Sequence, residues 1–424
     1  MFSSLALRNY RLFWMGGLVS NTGTWMARVA QDWLVLTILT DNSAMALGVV
    51  TGLQFLPTLA APWAGSLADR IPKRRLLMFS QAALALTGAA LAILVIGGWI
   101  ALWQVYLLAF LQGVAAAVDM PARQAFAPEM VPSELIGNAV GLNSTSFHAA
   151  RLVGPALAGL SIAWWGVGPA LAVNAASFGT VLLALALMDP AELHPAPRPR
   201  DRGGVREGLA YVRRRPDILL VLFLMFMLGT FGLNFQITNA VMATSVFQVG
   251  PTVFGYMGSV MAIGSLAAGL IAAKRTQAHL RLIVTALAGF SVVSLGMALA
   301  PDIAIYMVLL AVAGFTSLTV MTAANTSVQL STEPQMRGRV MALYMAIFLG
   351  GTPLGSPLIG WIGDAWGPRW TIAVGAIACG VAVLAAVIYL ARRRGWEWPW
   401  RRQHEELAFV ALPEVVGEAD HARQ

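Results

Sequence analysis

Asn21, Trp25, Arg28 and Asp32 recur at i, i+4, i+7 and i+11, so on a helix they share one face. Ser144, His148, Arg151 and Pro155 repeat that spacing further along the chain. Both sets sit inside long apolar stretches, where a charged side chain costs roughly 2.5–3.5 kcal/mol on insertion scales and needs a reason to be present. Arg28 and Asp32 are spaced to pair along a helix. Proton exchange is the chemistry open to such a group. Asp32 would titrate, Arg28 and Arg151 would hold its charge, and protonation would compete with a ligand. The opposing reading is a permanent Arg–Asp pair that keeps two helices in register. His148 likewise reads either as a proton carrier or as a hydrogen bonder within a helix pair.

The elements that must position these residues follow from composition. Hydrophobic residues make up 58% of 424 and charged residues only 11%, with a mean hydropathy of +0.70. Soluble domains carry about 25% charged residues, so this chain has too little polar surface to face water on all sides. Separate apolar runs of about 20 residues are each long enough to cross a ~30 Å hydrocarbon core. The expected class is an all-α, multi-spanning membrane protein. The stretch after Arg8 and Arg11 outruns a signal-peptide core and has no small-residue cleavage site, so it is expected to stay as the first span.

Breaks at Gly, Pro and charge clusters divide the chain into twelve spans. Their centres fall near Leu18, Leu56, Ala85, Ala109, His148, Ser177, Thr230, Ala262, Ala288, Ala313, Phe348 and Val381. The expected organisation is a six-helix bundle over 1–188, a central loop over 189–217, a second six-helix bundle over 218–391 and a tail over 392–424. Lys and Arg crowd alternate loops: Arg70–Arg75, Arg198–Arg215, Lys274–Arg281, Arg337–Arg339 and Arg392–Arg402, with Arg369 alone on the other side. The positive-inside rule then puts both termini and the central loop in the cytoplasm, in a cell (inner or plasma) membrane. The net charge of +8 is thereby a topology signal and a contact for lipid headgroups, and it implies no nucleic-acid partner.

The halves repeat each other. At an offset of 201, Gly137, Leu142, Gly154, Gly159, Trp165 and Gly166 match Gly338, Leu343, Gly355, Gly360, Trp366 and Gly367. Two six-span halves in the same orientation form a known transporter plan, with the site between them near the midplane and rocking as the motion that exposes it. In the second half, Asn234, Thr238 and Ser245 stand at helical spacing, with Gln236 and Asn239 nearby. Neutral hydrogen bonders opposite a charged first half suit an amphipathic ligand. Met225, Met227, Met242, Met257 and Met261 would either line an adaptable pocket or simply pack.

Other function classes lack their parts. The lone Cys379 forms neither an internal disulfide nor a Cys-based metal cluster. There is no Walker A motif, no H-E-x-x-H and no nucleophile elbow, so neither ATP-driven transport nor the commoner hydrolases are indicated, and no cofactor or metal is called for. A channel would show a repeated pore loop or a charge ring.

Gly65-Ser-Leu-Ala-Asp69-Arg70-Ile-Pro-Lys73-Arg74-Arg75 stands between spans 2 and 3. This stretch resembles the major facilitator superfamily signature, and a degenerate copy near Gly269 has Ala273 in place of the Asp. Asp119-Met-Pro-Ala-Arg123, Asn138-Ala-Val-Gly-Leu-Asn143-Ser and Arg151-Leu-Val-Gly154-Pro155-Ala-Leu-Ala-Gly159 resemble the superfamily's transmembrane secretion effector branch, as does Trp25-Met-Ala-Arg28-Val-Ala-Gln-Asp32. The resemblance covers essentially the whole chain. It implies twelve transmembrane helices in two pseudo-symmetric bundles, and a secondary transporter that exports a small amphipathic compound in exchange for protons. An importer or lipid transporter of the same fold, or a transport-dead membrane sensor, is the alternative. It further implies a cytoplasmic gate from Gly65, Asp69, Arg70 and Arg74 with Asp119 and Arg123, and a helix-packing role for Gly154, Pro155 and Gly159, echoed by Gly355 and Gly360. The implied partners are a small-molecule substrate, protons and lipids, with a monomer as the expected unit. One departure weakens the antiport inference: Ala109 stands where many drug exporters carry Arg before Gln112-Gly113.

Overall fold

In hydrocarbon every backbone N–H and C=O must find a partner inside the protein, and a helix supplies these within a single segment. The computed structural model describes residues 2–60, 71–194, 205–273 and 279–394, whose regular structure is entirely helical, with no strand among them. The long helices are α1 Arg8–Leu34, α2 Ala44–Ala60, α3 Lys73–Ile96, α4 Leu102–Met130, α5 Ile136–Trp165 and α6 Val167–Leu187. After a surface helix at Val205–Arg213 come α7 Pro216–Val246, α8 Pro251–Ala272, α9 Leu280–Leu299, α10 Ile303–Ser331, α11 Arg337–Trp366 and α12 Trp370–Arg394.

Nine of these, α3, α4 and α6–α12, are long and apolar enough by themselves to cross a membrane. The exceptions are informative. The described part of α2 is short, while α1 and α5 are long but carry the polar stripes singled out above. Large apolar side chains such as Phe79, Leu86, Val292 and Leu354 are more than 70% exposed, an arrangement suited to lipid rather than water. Trp99, Trp103, Trp164, Trp165, Trp366 and Trp370 are exposed where α3–α6, α11 and α12 turn at one end, as in an interfacial aromatic belt.

Within the first half, α1 packs against α5 and α6, and α3 against α4 and α6; within the second, α10 packs against α8 and α9, and α9 against α12. Small residues let backbones approach. A Cβ on Gly264 would lie 1.8 Å from the Ala311 carbonyl oxygen, and one on Gly314 2.2 Å from that of Met261, so α8 and α10 touch main chain to main chain. The sequence repeat is also structural: α5 and α11 begin and end 201 residues apart. Each ends in a tight Trp-Gly turn with the glycine at positive φ, +84° at Gly166 and +105° at Gly367, a conformation costly for any side chain.

The halves approach most closely in two helix pairs. In α5 against α8, a Cβ on Gly159 would lie 2.5 Å from the Pro251 oxygen and one on Gly255 2.3 Å from the Pro155 oxygen. In α2 against α11, a Cβ on Gly360 would lie 2.4 Å from the Ala44 oxygen and one on Gly48 2.4 Å from the Ser356 oxygen. All four contacts lie toward the end where α5 and α11 finish. Near their beginnings, Gly137, Gly141 and Gly338 have nothing within 4 Å of a would-be Cβ. Among the described residues, the halves are thus sealed at the tryptophan-rich end and splayed at the other.

Candidate functional site

A cavity of about 350 Å³ lies between the halves, beneath the sealed end. The first half contributes Trp25, Arg28 and Asp32 from α1, Thr51 and Phe55 from α2, and Arg151 and Pro155 from α5. The second half contributes Asn234, Gln236 and Asn239 from α7, Phe254, Met261 and Ser265 from α8, Ser317 and Met321 from α10, and Phe348 and Ser356 from α11. The charged side is one half, and the neutral hydrogen-bonding and aromatic side is the other.

The α1 stripe is presented to this space because Gly154 lets α5 lie against α1. A Cβ there would be 2.6 Å from Trp25 Cβ and 3.0 Å from the Thr22 oxygen. As a result the two arginines flank one ring. The Arg28 guanidinium stands 4.8 Å and that of Arg151 5.6 Å from the Trp25 ring centre, and Arg28 is also 5.9 Å from Phe55. Cation–π contacts of this kind compensate part of the cost of desolvating a guanidinium. Arg28 and Asp32, although spaced to pair, form no ion pair within 4.0 Å. The Asp32 carboxylate instead accepts a 3.5 Å hydrogen bond from Gln236 Nε2 in the opposite half. Arg28 Nε is buried without a partner.

Of the other residues singled out from sequence, Asn234 lines the cavity. Its side chain donates to the Thr230 oxygen at 2.8 Å and accepts from Ser356 Oγ at 2.9 Å. It does not continue a regular helix: α7 passes through a π-helical turn at Leu228–Gly232 and restarts at Phe235, so Asn234 occupies the break. Thr238 is buried outside the cavity lining, with its hydroxyl unpartnered. Asn21, Ser144 and His148 fall away from the cavity toward the splayed end; Ser144 is exposed, and His148 packs edge-on to Phe147. Among the methionines, Met261 lines the cavity whereas Met225, Met242 and Met257 are fully buried packing residues.

Gly65, Asp69 and Arg70 lie outside the described residues. Among the described residues of the expected gate, Asp119 accepts from Ser80 Oγ and Gln81 Nε2, both at 2.7 Å, and from Arg123 Nε at 3.3 Å. Arg123 also stands over Phe13, and Lys73 pairs with Glu129. Arg74 donates to the Leu185 and Ala186 oxygens at the end of α6, as a cation does at a helix C-terminus.

One residue escaped the sequence reading. At the sealed end the Asp364 carboxylate of α11 accepts from Ser43 Oγ at 2.8 Å, from Ala44 N at 2.7 Å and from Met45 N at 3.1 Å, capping α2 of the other half. The signal was available: an aspartate in the last turn of a helix is unfavourable there and needs a partner elsewhere.

A family model described as transmembrane secretion effector matches residues 1–407. The chain belongs to that family. It is a membrane transporter. The Staphyloferrin A transporter of Staphylococcus aureus is 24% identical over 391 residues, covering 91% of this chain and 96% of that protein. The multidrug efflux pump Tap of Mycolicibacterium fortuitum is 28% identical over 402 residues, covering 90% and 96%. Among solved structures, a bacterial homologue of the human lysosomal transporter Spinster, inward-facing and occupied, superposes with a TM-score of 0.69 at 15% identity over 92% of this chain and 97% of that one. At that identity the likeness concerns the fold.

Proposed function

We propose that this protein is a secondary active exporter of small amphipathic compounds, working by alternating access and driven by proton exchange at Asp32. The observation that carries the reading is the cavity between the halves, into which α1 and α5 bring Asp32, Arg28 and Arg151. Intramembrane charge is costly and in transporters marks the substrate and ion route. The relatives' names, a Staphyloferrin A transporter and a multidrug efflux pump, support small organic cargo. In this reading all twelve long helices cross the membrane, both termini and the splayed end face the cytoplasm, and the chain acts as a monomer without enzymatic activity. The cavity then takes cargo from the cytoplasmic side. Gly65, Asp69, Arg70 and Arg74 with Asp119 and Arg123 form the gate on that side. Gly154, Pro155, Gly159, Gly355 and Gly360 let the opposite side close.

The test is proton movement in inside-out vesicles on addition of candidate cargo, a macrolide or staphyloferrin A, for the wild type and Asp32→Asn. Cargo-evoked proton release that disappears in a folded Asn variant supports exchange at Asp32. Equal release from both proteins removes Asp32 from coupling and makes it a structural residue. Cargo accumulation with no proton movement in either protein would leave export in place and remove proton coupling.

A further inference from the structure

The cavity's charge count does not close. Among the described residues, Arg28, Arg151 and Asp32 are its only charged lining residues, so with Asp32 ionised they leave one uncompensated positive charge in the space. Neither guanidinium has a hydrogen bond or an ion pair with a described residue, and Arg28 Nε is buried with none at all. The nearest carboxylate is already bonded to Gln236 from the opposite half. Both cations are held by the same indole, a contact that orients a guanidinium plane while leaving its N–H donors free. A free, pre-oriented guanidinium is the preferred partner of a carboxylate or phosphate oxygen pair. Around it the walls are aromatic, with Phe55, Phe254 and Phe348.

We infer that the cargo carries an anionic group, a carboxylate on an otherwise apolar and aromatic body, which seats against Arg28 and Arg151 and brings the loaded cavity to electrical neutrality. The inference rests on the cavity being the cargo site and not on Asp32 exchanging a proton. Neutrality matters because the loaded site must pass through an occluded state in a low-dielectric medium, where a net charge is most expensive. Asp32 has a second role here: it limits the site to one further negative charge. Moving an anion outward also runs with an inside-negative membrane potential.

The test compares tritiated 1-naphthaleneacetate with its uncharged amide, using the full-length protein in lipid nanodiscs and subtracting empty nanodiscs. We expect the acid to bind at least tenfold tighter than the amide. Arg151→Met should abolish that preference, and Arg151→Lys should retain most of it. Asp32→Asn, which leaves two uncompensated cations, should tighten the acid severalfold and leave the amide unchanged. Thermal melts identify any variant that fails to fold, and the Asp32→Asn comparison then still decides. Equal binding of acid and amide, no binding of the acid, or a preference that survives Arg28→Met and Arg151→Met would overturn the inference. If acid and amide bind equally and both are lost when Met321→Trp narrows the cavity, the cavity remains the cargo site and only its anion selectivity falls.

Discussion

Replacing Asp364 by alanine isolates the energy of closing one end of this transporter. The carboxylate accepts three hydrogen bonds, at 2.7–3.1 Å, from the first turn of α2, although it belongs to α11. Loss of an N-cap side chain costs about 0.5–2 kcal/mol, and a negative charge at a helix N-terminus adds about 0.3–1 kcal/mol. Because Asp364 is exposed, the lower parts of these ranges apply, and about 1–2 kcal/mol is expected, a factor of roughly 5–30 in an equilibrium. The cost falls on the closed state and not on α2 itself, since Ser43 Oγ still accepts from Ala46 N at 3.1 Å as the helix's own cap. Spin labels on Ile38→Cys and Leu299→Cys, in a Cys379→Ala background, report the width of that end from opposite halves. In Asp364→Ala the long-distance population should grow about 5–30-fold relative to the short one, with Asp364→Asn between the two. An unchanged distance distribution, or a fall in melting temperature without any shift in distances, would refute the assignment of this bond to gating.

Gly264→Val places side-chain atoms where the Ala311 carbonyl oxygen would lie only 1.8 Å from a Cβ; α8 and α10 must separate, and a loss of at least 1–3 kcal/mol, as for an overpacked core, is expected in denaturant titrations. Gly360→Leu obstructs α2 against α11 at the Ala44 oxygen and should hold the tryptophan-rich end open, read as lost vesicle transport with the spin-label distances shifted outward. Trp25→Ala removes the ring that both guanidiniums flank and should weaken cargo binding by about tenfold, on the order of 1.4 kcal/mol, measurable by the nanodisc assay. Arg123→Met leaves the buried Asp119 with Ser80 and Gln81 as its described partners and should cost about 1–3 kcal/mol in thermal stability.

Part of the candidate site's geometry was legible in the sequence. The i, i+4, i+7 spacing put Trp25, Arg28 and Asp32 on one face, and that face does line the cavity, because helical periodicity is a local property. The same spacing also enrolled Asn21, Ser144 and His148, which fall below the cavity on the splayed stretch. Periodicity gives the direction a side chain points but not how far along the helix its neighbour stays in contact. The spacing puts Asn234 on a regular helix, yet it sits at a break after a π-helical turn, where Thr230 and Phe231 pack against glycines of α11 and α12. Five methionines read alike in the sequence, and only the tertiary packing separates Met261, on the cavity wall, from Met225, Met242 and Met257 in the core.

What the sequence determined by itself is everything set by solvent and chain-local geometry: the membrane class, most span positions, the duplicated halves 201 residues apart, and the glycines that two Trp-Gly turns require. The tertiary structure decided which charges meet. Asp32 finds Gln236 rather than Arg28, Arg28 and Arg151 share one indole, and Asp364 closes on a helix more than 300 residues away in sequence. These contacts depend on the approach of two separately folded surfaces, brought together by small residues that let backbones touch. No local periodicity encodes that distance.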